Sequence, residues 1–148
     1  MLLSKLIAIN LKLIVDLIFV IFGTAQMKLR IKGNSIRFRL TQSEVEIVEQ
    51  TGLVKDQTKF SNSISLEYEI KAVTGLVYVE PIYSENKITL KVNESLIRDW
   101  AHSDQVTISS TFDFSSDENL TILIEKDFKC LSPRDEDESD MFPHPKQQ

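Results

Sequence analysis

From Met27 onward the chain runs in short stretches that alternate apolar and polar residues between turn residues, the pattern of half-buried β-strands. Twice this alternation breaks into a short helical stripe behind a capping residue, and the second break follows the first by 52 positions. Few folds satisfy both facts. Lys28 to Lys32 and Ile36 to Leu40 flank a Gly33-Asn34 turn. Thr41 and Glu44 spell a capping box, Val45 and Val48 form an apolar stripe ending at Gly52, and strands follow from Val54 to Phe60 and Ile64 to Ile70.

The order then recurs. Val77 to Tyr83 and Ile88 to Val92 flank a Glu85-Asn86 turn, and Asn93 caps a helix carrying Leu96, Ile97, Trp100 and Ala101 on one face. The last strands read from Val106 to Phe114 and from Leu120 to Ile124. At the offset of 52, Asn34 falls on Asn86, Ile36 on Ile88, Phe38 on Leu90 and Leu40 on Val92. The register continues through Thr41/Asn93, Ser43/Ser95, Val45/Ile97, Val54/Val106 and Phe60/Phe112. Identities are few; the agreement lies in apolar pattern and caps. It predicts an α+β domain of about eight antiparallel strands and two short helices, two ββαββ units sharing one core as a sandwich or partly open barrel. The alternative is chance agreement between two amphipathic segments, since strand patterns match easily.

The 148 residues contain no long Gly/Pro/Ser linker, so one domain is expected, spanning 27–131. A net charge of −5 argues against non-specific nucleic-acid binding, which needs a basic surface. The single cysteine, Cys130, forbids an internal disulfide and fits a cytoplasmic location. Residues 1–26 form a separate leader, apolar but interrupted by Asn10, Lys12 and Asp16, the last two spaced to pair on one helical face. Three readings compete for it: an upstream extension from a misplaced start codon with translation beginning at Met27, a signal peptide cleaved near Gly23-Thr24-Ala25, and a membrane anchor. Only the last would make the membrane a partner. Residues 132–148 form an acidic, proline-containing tail, with five acids against one arginine between Pro133 and Asp140 and an exposed course expected.

Standard catalytic signatures are missing. Gly33-Asn34-Ser35 is a turn rather than a phosphate loop, since no Gly-Lys-Ser/Thr follows it. His102, Ser103 and Asp104 are consecutive, so their side chains diverge. Cys130 and His144 lack the paired spacing of zinc sites, and no cofactor is expected.

The first hairpin is the unusual feature. A two-residue turn fixes its register, with Ile31 opposite Ile36 and Leu29 opposite Phe38 on one face. The other face then sets Arg30 against Arg37 and Lys28 against Arg39, like charges that oppose pairing. The second hairpin instead places Glu80 opposite Lys91. Lys28, Arg30, Lys32, Arg37 and Arg39 thus make a basic face with no acid of its own. It is read in three ways: a solvated sheet face, a binding surface for an anionic small molecule or acidic protein segment, or a surface met by the chain's own Asp135 to Asp140. No aromatic interleaves the basic positions, so nucleic acid is not expected. A non-catalytic binding domain is the favoured function.

Two resemblances add to this. Met27 to Val45 (MKLRIKGNSIRFRLTQSEV) and Ile124 to Leu131 (IEKDFKCL), with the acidic run and Asp140-Met141-Phe142-Pro143-His144-Pro145, resemble the two ends of an uncharacterised family of small bacterial proteins. The likeness covers about Met27 to Pro145, implies a start at Met27 and brings no catalytic residues. Glu67-Tyr68-Glu69-Ile70-Lys71 is similar to the Glu-x-Glu-x-Lys signature of triphosphate-tunnel metalloenzymes. That resemblance implies an alternative, a metal-dependent phosphohydrolase with Glu67 and Glu69 as metal ligands. The family carries the motif on its first strand, whereas here it falls on the fourth.

Overall fold

The structure, a computed structural model, describes residues 1–21, 26–76, 78–132 and 134–147. Eight strands form: β1 Lys28–Lys32, β2 Ser35–Leu40, β3 Leu53–Lys59, β4 Ser65–Val73, β5 Glu80–Ser84, β6 Lys87–Asn93, β7 Thr107–Asp113 and β8 Asn119–Lys126. Helix α1 covers Leu2–Ile21, α2 Gln42–Thr51 and α3 Glu94–Ala101. The strands make two four-stranded sheets, ordered β1-β2-β8-β7 (sheet A) and β3-β4-β6-β5 (sheet B), that do not close into a barrel.

Each ββαββ unit gives one hairpin to each sheet, because α2 and α3 carry the chain from one sheet to the other. The two units are therefore interlocked. The expectation of wholly antiparallel sheets is corrected: all four hairpins are antiparallel, but β2 pairs with β8 and β4 with β6 in parallel. Local alternation and turn chemistry encode the hairpins. Which hairpin lies beside which is decided by closing the shared core.

The duplication is geometric, and its register changes once. Phe38 pairs with Ile124 and Leu90 with Ile70, which keeps the first hairpins 52 apart. Beyond the helices, Val54 pairs with Ile70 and Ile108 with Ile124, so the offset becomes 54. Val54 thus corresponds to Ile108 and Phe60 to Phe114, not to Val106 and Phe112. Gly52 turns α2 directly into β3 with φ 78° and its N–H on the Val48 carbonyl, whereas a longer loop separates Ala101 from Thr107.

Both hairpin registers of the sequence reading form, Arg30 opposite Arg37 and Glu80 opposite Lys91 among them. Gly33 alone has positive φ in the first turn, the II′ pattern. In the second turn both Glu85 (φ 51°) and Asn86 (φ 59°) do, the I′ pattern. A glutamate strains there because its Cβ crowds the carbonyl. Glu85→Gly is expected to raise stability by about 1 kcal/mol in a denaturant melt.

The inward faces of the sheets meet in one core. Phe38, Leu40, Ile108, Ile122 and Ile124 come from sheet A; Val54, Tyr68, Ile70, Leu90 and Val92 come from sheet B. Phe38 and Tyr68 touch edge to face across it, ring centres 6.1 Å apart. Val45, Val48, Ile97 and Trp100 of α2 and α3 close the end remote from the hairpin turns, and the Trp100 indole N–H donates to the Val106 carbonyl at 3.1 Å.

Leader residues Leu2, Leu3, Leu6, Ile7, Leu11, Leu13 and Ile14 are all more than half exposed on α1. Among the described residues no helix is long and apolar enough to cross a membrane. The Lys12–Asp16 pair concerns side chains outside the description, and Gly23-Thr24-Ala25 lies outside it altogether. The domain grips the chain from Gln26. The Gln26 N–H donates to Glu44 Oε1 at 2.7 Å, the Met27 N–H faces the Asp56 carboxylate, and the Met27 side chain is buried. Burial, above all, raises the Glu44 and Asp56 pKa values, and no salt bridge reaches either among the described residues. A chain beginning at Met27 would set its α-ammonium against the Asp56 carboxylate, in place of the Gln26 N–H on Glu44. It is expected to gain about 1–2 kcal/mol at neutral pH from a charged hydrogen bond. A carboxylate neighbour raises the amine's pKa, so the gain is lost as pH rises through that raised value. A lower melting midpoint than that of the full chain would show that α1 supports the core.

Candidate functional site: the basic outer face of sheet A

Alternation along β2 buries Ile36, Phe38 and Leu40 and turns Arg37 and Arg39 outward. Arg30 on β1 lies opposite Arg37, and the parallel pairing sets Arg39 beside Glu125 and Arg37 beside Leu123 of β8. Glu125 reaches both arginines: its Oε1 is 3.5 Å from Arg37 Nε and its Oε2 is 3.3 Å from Arg39 Nε. One carboxylate therefore fastens two guanidinium groups by their inner nitrogens. Arg30 and Lys32 are exposed and make no salt bridge among the described residues. Across β8 and β7 the face continues through Leu123 and the hydroxyls of Thr107, Ser109, Thr111 and Thr121 to the exposed Asp113 at the end of β7.

Lys28 has a different part from its four basic neighbours. Its ammonium lies 2.9 Å from Asp127 Oδ2 and 2.8 Å from Glu136 Oε1. Asp127 Oδ2 is buried and accepts no directed hydrogen bond, so Lys28 holds it as an ion contact. Burial pulls the Lys28 pKa down, but Glu136 and Asp127 outweigh it and keep the value above the ordinary lysine range; Lys28 in turn lowers that of Glu136.

Glu136 belongs to the acidic tail, whose charged run from Arg134 to Asp137 is exposed but whose following residues dock on the domain. Met141 is 3% exposed, Phe142 stacks on Phe128 with ring centres 5.7 Å apart, and their backbones form a bridge. Asp140 caps α2: its carbonyl accepts the Gln42 N–H, and its Oδ1 accepts the Ser43 N–H and hydroxyl. Thr41 and Glu44 form the expected capping box, in which Glu44 accepts the Thr41 N–H and hydroxyl. At α3, Asn93 works alone, its Oδ1 taking the Ser95 and Leu96 N–H groups. Packing outdoes composition here, because three apolar or capping residues at the far end of the tail have sites waiting on the domain. Of the tail's acids, Glu136 supplies the counter-charge, and it meets only the Lys28 end of the basic face.

The outer face of sheet B interleaves acids with its lysines. Glu67 and Glu69 point outward from β4, opposite in direction to buried Tyr68 and Ile70. Lys87 lies 3.8 Å from Glu67 and 3.9 Å from Glu69, Thr89 donates to Glu69 at 2.9 Å, and Lys55 sits opposite Glu69 in the ladder. Glu80 pairs with Lys91 at 3.6 Å. Among the described residues no group of His, Cys, Asp and Glu is arranged to hold a metal ion. Arg37 and Glu67 occupy the outer faces of different sheets.

Glu125 and Asp127 are the partners of the basic face that sequence reasoning missed. Nothing local ties them to β1 and β2; they arrive through a parallel pairing across more than eighty positions. No curated protein and no solved structure matches the chain. A family model does match, over residues 27–146, the span that holds both hairpin layers, the helix pair and the docked tail, and the chain belongs to that family, DUF7009, a family of unknown function.

Proposed function

We propose that this is a non-catalytic binding domain for an oxoanion, carried on a small molecule or an acidic protein segment, and that Arg37 and Arg39 form its centre with Arg30 and Lys32 alongside. One observation carries the reading: Glu125 engages both arginines at Nε, and among the described residues neither guanidinium has another ion-pair partner. Oriented guanidinium forks suit phosphate, sulfate and carboxylate geometry. On sheet B, by contrast, three outward acids, Glu67, Glu69 and Glu80, stand among the lysines and pair with Lys87 and Lys91, whereas on sheet A Glu125 alone serves both Arg37 and Arg39. The lone Cys130 supports placing the domain in the cytoplasm. A metal-dependent phosphohydrolase would ask for Arg37 and Glu67 in one cavity, and the two sheets turn them to different surfaces.

Thermal melts test this. Millimolar phosphate or sulfate is expected to raise the wild-type midpoint by mass action, by about 2.7 kcal/mol at a concentration a hundred times Kd. Arg37→Glu is expected to remove the gain; it relieves the like charge opposite Arg30 but loses the Glu125 pair, so its anion response is read against its own anion-free midpoint. High salt should weaken the wild-type gain through screening. Equal responses of wild type and Arg37→Glu to every anion would overturn the proposal.

A further inference from the structure

Where the tail folds back, a cleft of about 460 Å³ opens between it and the end of β8, within the roughly 300–1,000 Å³ range of small-molecule pockets. Its charged groups divide into committed and uncommitted. Glu125 is held by Arg37 and Arg39, and Asp127 by Lys28. Lys126 donates to the Ser103 carbonyl and lies over the Trp100 and Phe142 rings, 5.7 and 5.6 Å from their centres. Lys129 and Arg134 make no salt bridge among the described residues. His144 accepts the Lys146 N–H at Nδ1, which places its own proton on Nε2 as a donor. Once the pairings among the described residues are subtracted, the cleft offers donors: Lys129, Arg134, His144 and, beyond its Glu125 contact, Arg39. Val106, Phe128 and Leu131 add apolar wall.

We propose that this cleft binds a small organic oxoanion, a phosphate or sulfate monoester, with the anionic group on Arg39, Lys129 and Arg134 and the organic body against Val106, Phe128 and Leu131. The proposal deepens the function read from sheet A, because Arg39 belongs to both surfaces. Inorganic phosphate satisfies the sheet face alone; an ester with an apolar body also fills the cleft.

Cys130 lines the cleft and is the only cysteine in the chain, so its alkylation reports occupancy at one known place. Full-length protein is treated with neutral N-ethylmaleimide, and modification is followed by intact mass with no additive, with phenyl phosphate and with inorganic phosphate at equal millimolar concentration. Phenyl phosphate is expected to slow the reaction by about fivefold or more as the site fills, and inorganic phosphate by less than about twofold. In Lys129→Ala/Arg134→Ala the protection should vanish, while the thermal gain from inorganic phosphate persists. Ser132→Glu, at an exposed position on the rim, gives a second variant that should lose protection by placing an anion at the mouth. The cleft proposal is overturned if phenyl phosphate protects no better than phosphate, or if both variants are protected like wild type. A thermal gain abolished by Arg37→Glu, with Cys130 unprotected, sinks the cleft and keeps the sheet face. No gain and no protection sinks both.

Discussion

Deleting residues 133–148 is expected to lower folding stability by about 3 kcal/mol or more, seen as an earlier midpoint in denaturant. Met141 is buried nearly as well as the central core, and exposing a side chain of that size costs about 1.5–3 kcal/mol. Asp140 satisfies two main-chain N–H groups at the start of α2, and losing such a cap costs about 0.5–2 kcal/mol. Phe142 also takes the Lys129 N–H on its carbonyl, donates its own to Asp127 and shields the Lys126 ammonium. A tail that merely trailed in solvent would make the deletion silent, so a change within about 0.5 kcal/mol, the range of ordinary surface changes, would contradict this packing. The shortened chain should also gain more from inorganic phosphate than the full one, since Lys28 no longer shares its charge with Glu136. Protection of Cys130 by phenyl phosphate should be lost, because Arg134 and His144 leave with the tail.

Lys28→Met is expected to cost about 2–4 kcal/mol, well beyond a surface substitution, because it leaves Asp127 buried without its cation. The lower end allows for solvent at Lys28, whose side chain is 37% exposed. Adding Asp127→Asn should restore most of the loss, which separates an unpaired charge from lost packing. The pH dependence has a definite sign. Glu136 has a lowered pKa and Lys28 a raised one, so their contribution is complete between the usual carboxylate and lysine ranges. It fades on acidification as pH falls through the lowered Glu136 value, and in alkali as pH rises through the raised Lys28 value. A Lys28→Met protein as stable as wild type at pH 7 would refute the ion contact.

The basic hairpin was legible because a two-residue turn sets its register by geometry alone, and the opposed Arg30 and Arg37 follow from counting. The partners of those arginines were not legible. Glu125 stands on the last strand, and its approach depends on β2 lying parallel to β8. The acidic tail misled for a related reason. Its composition predicts a solvated segment, and Arg134 to Asp137 are exposed, but Asp140, Met141 and Phe142 find a helix end, a pocket and an aromatic ring that exist only once the domain is assembled.

Short-range physics in the sequence by itself determined the elements: alternation made the strands, Gly33 and the Glu85-Asn86 pair set the hairpins, Thr41 and Asn93 began the helices, and the repeat announced two like units. The tertiary structure alone decided that the units interlock, that the central strand pairs run parallel, that the offset slips from 52 to 54, and that Lys28, Glu125 and the tail meet on one side. Turns and the Thr41 and Asn93 caps are satisfied by neighbours a few residues away, so local sequence specifies them, whereas the Asp140 cap on α2 comes from the assembled fold. Burial of two apolar sheet faces is satisfied only by the whole assembly, and the contacts that position the charges are consequences of that burial.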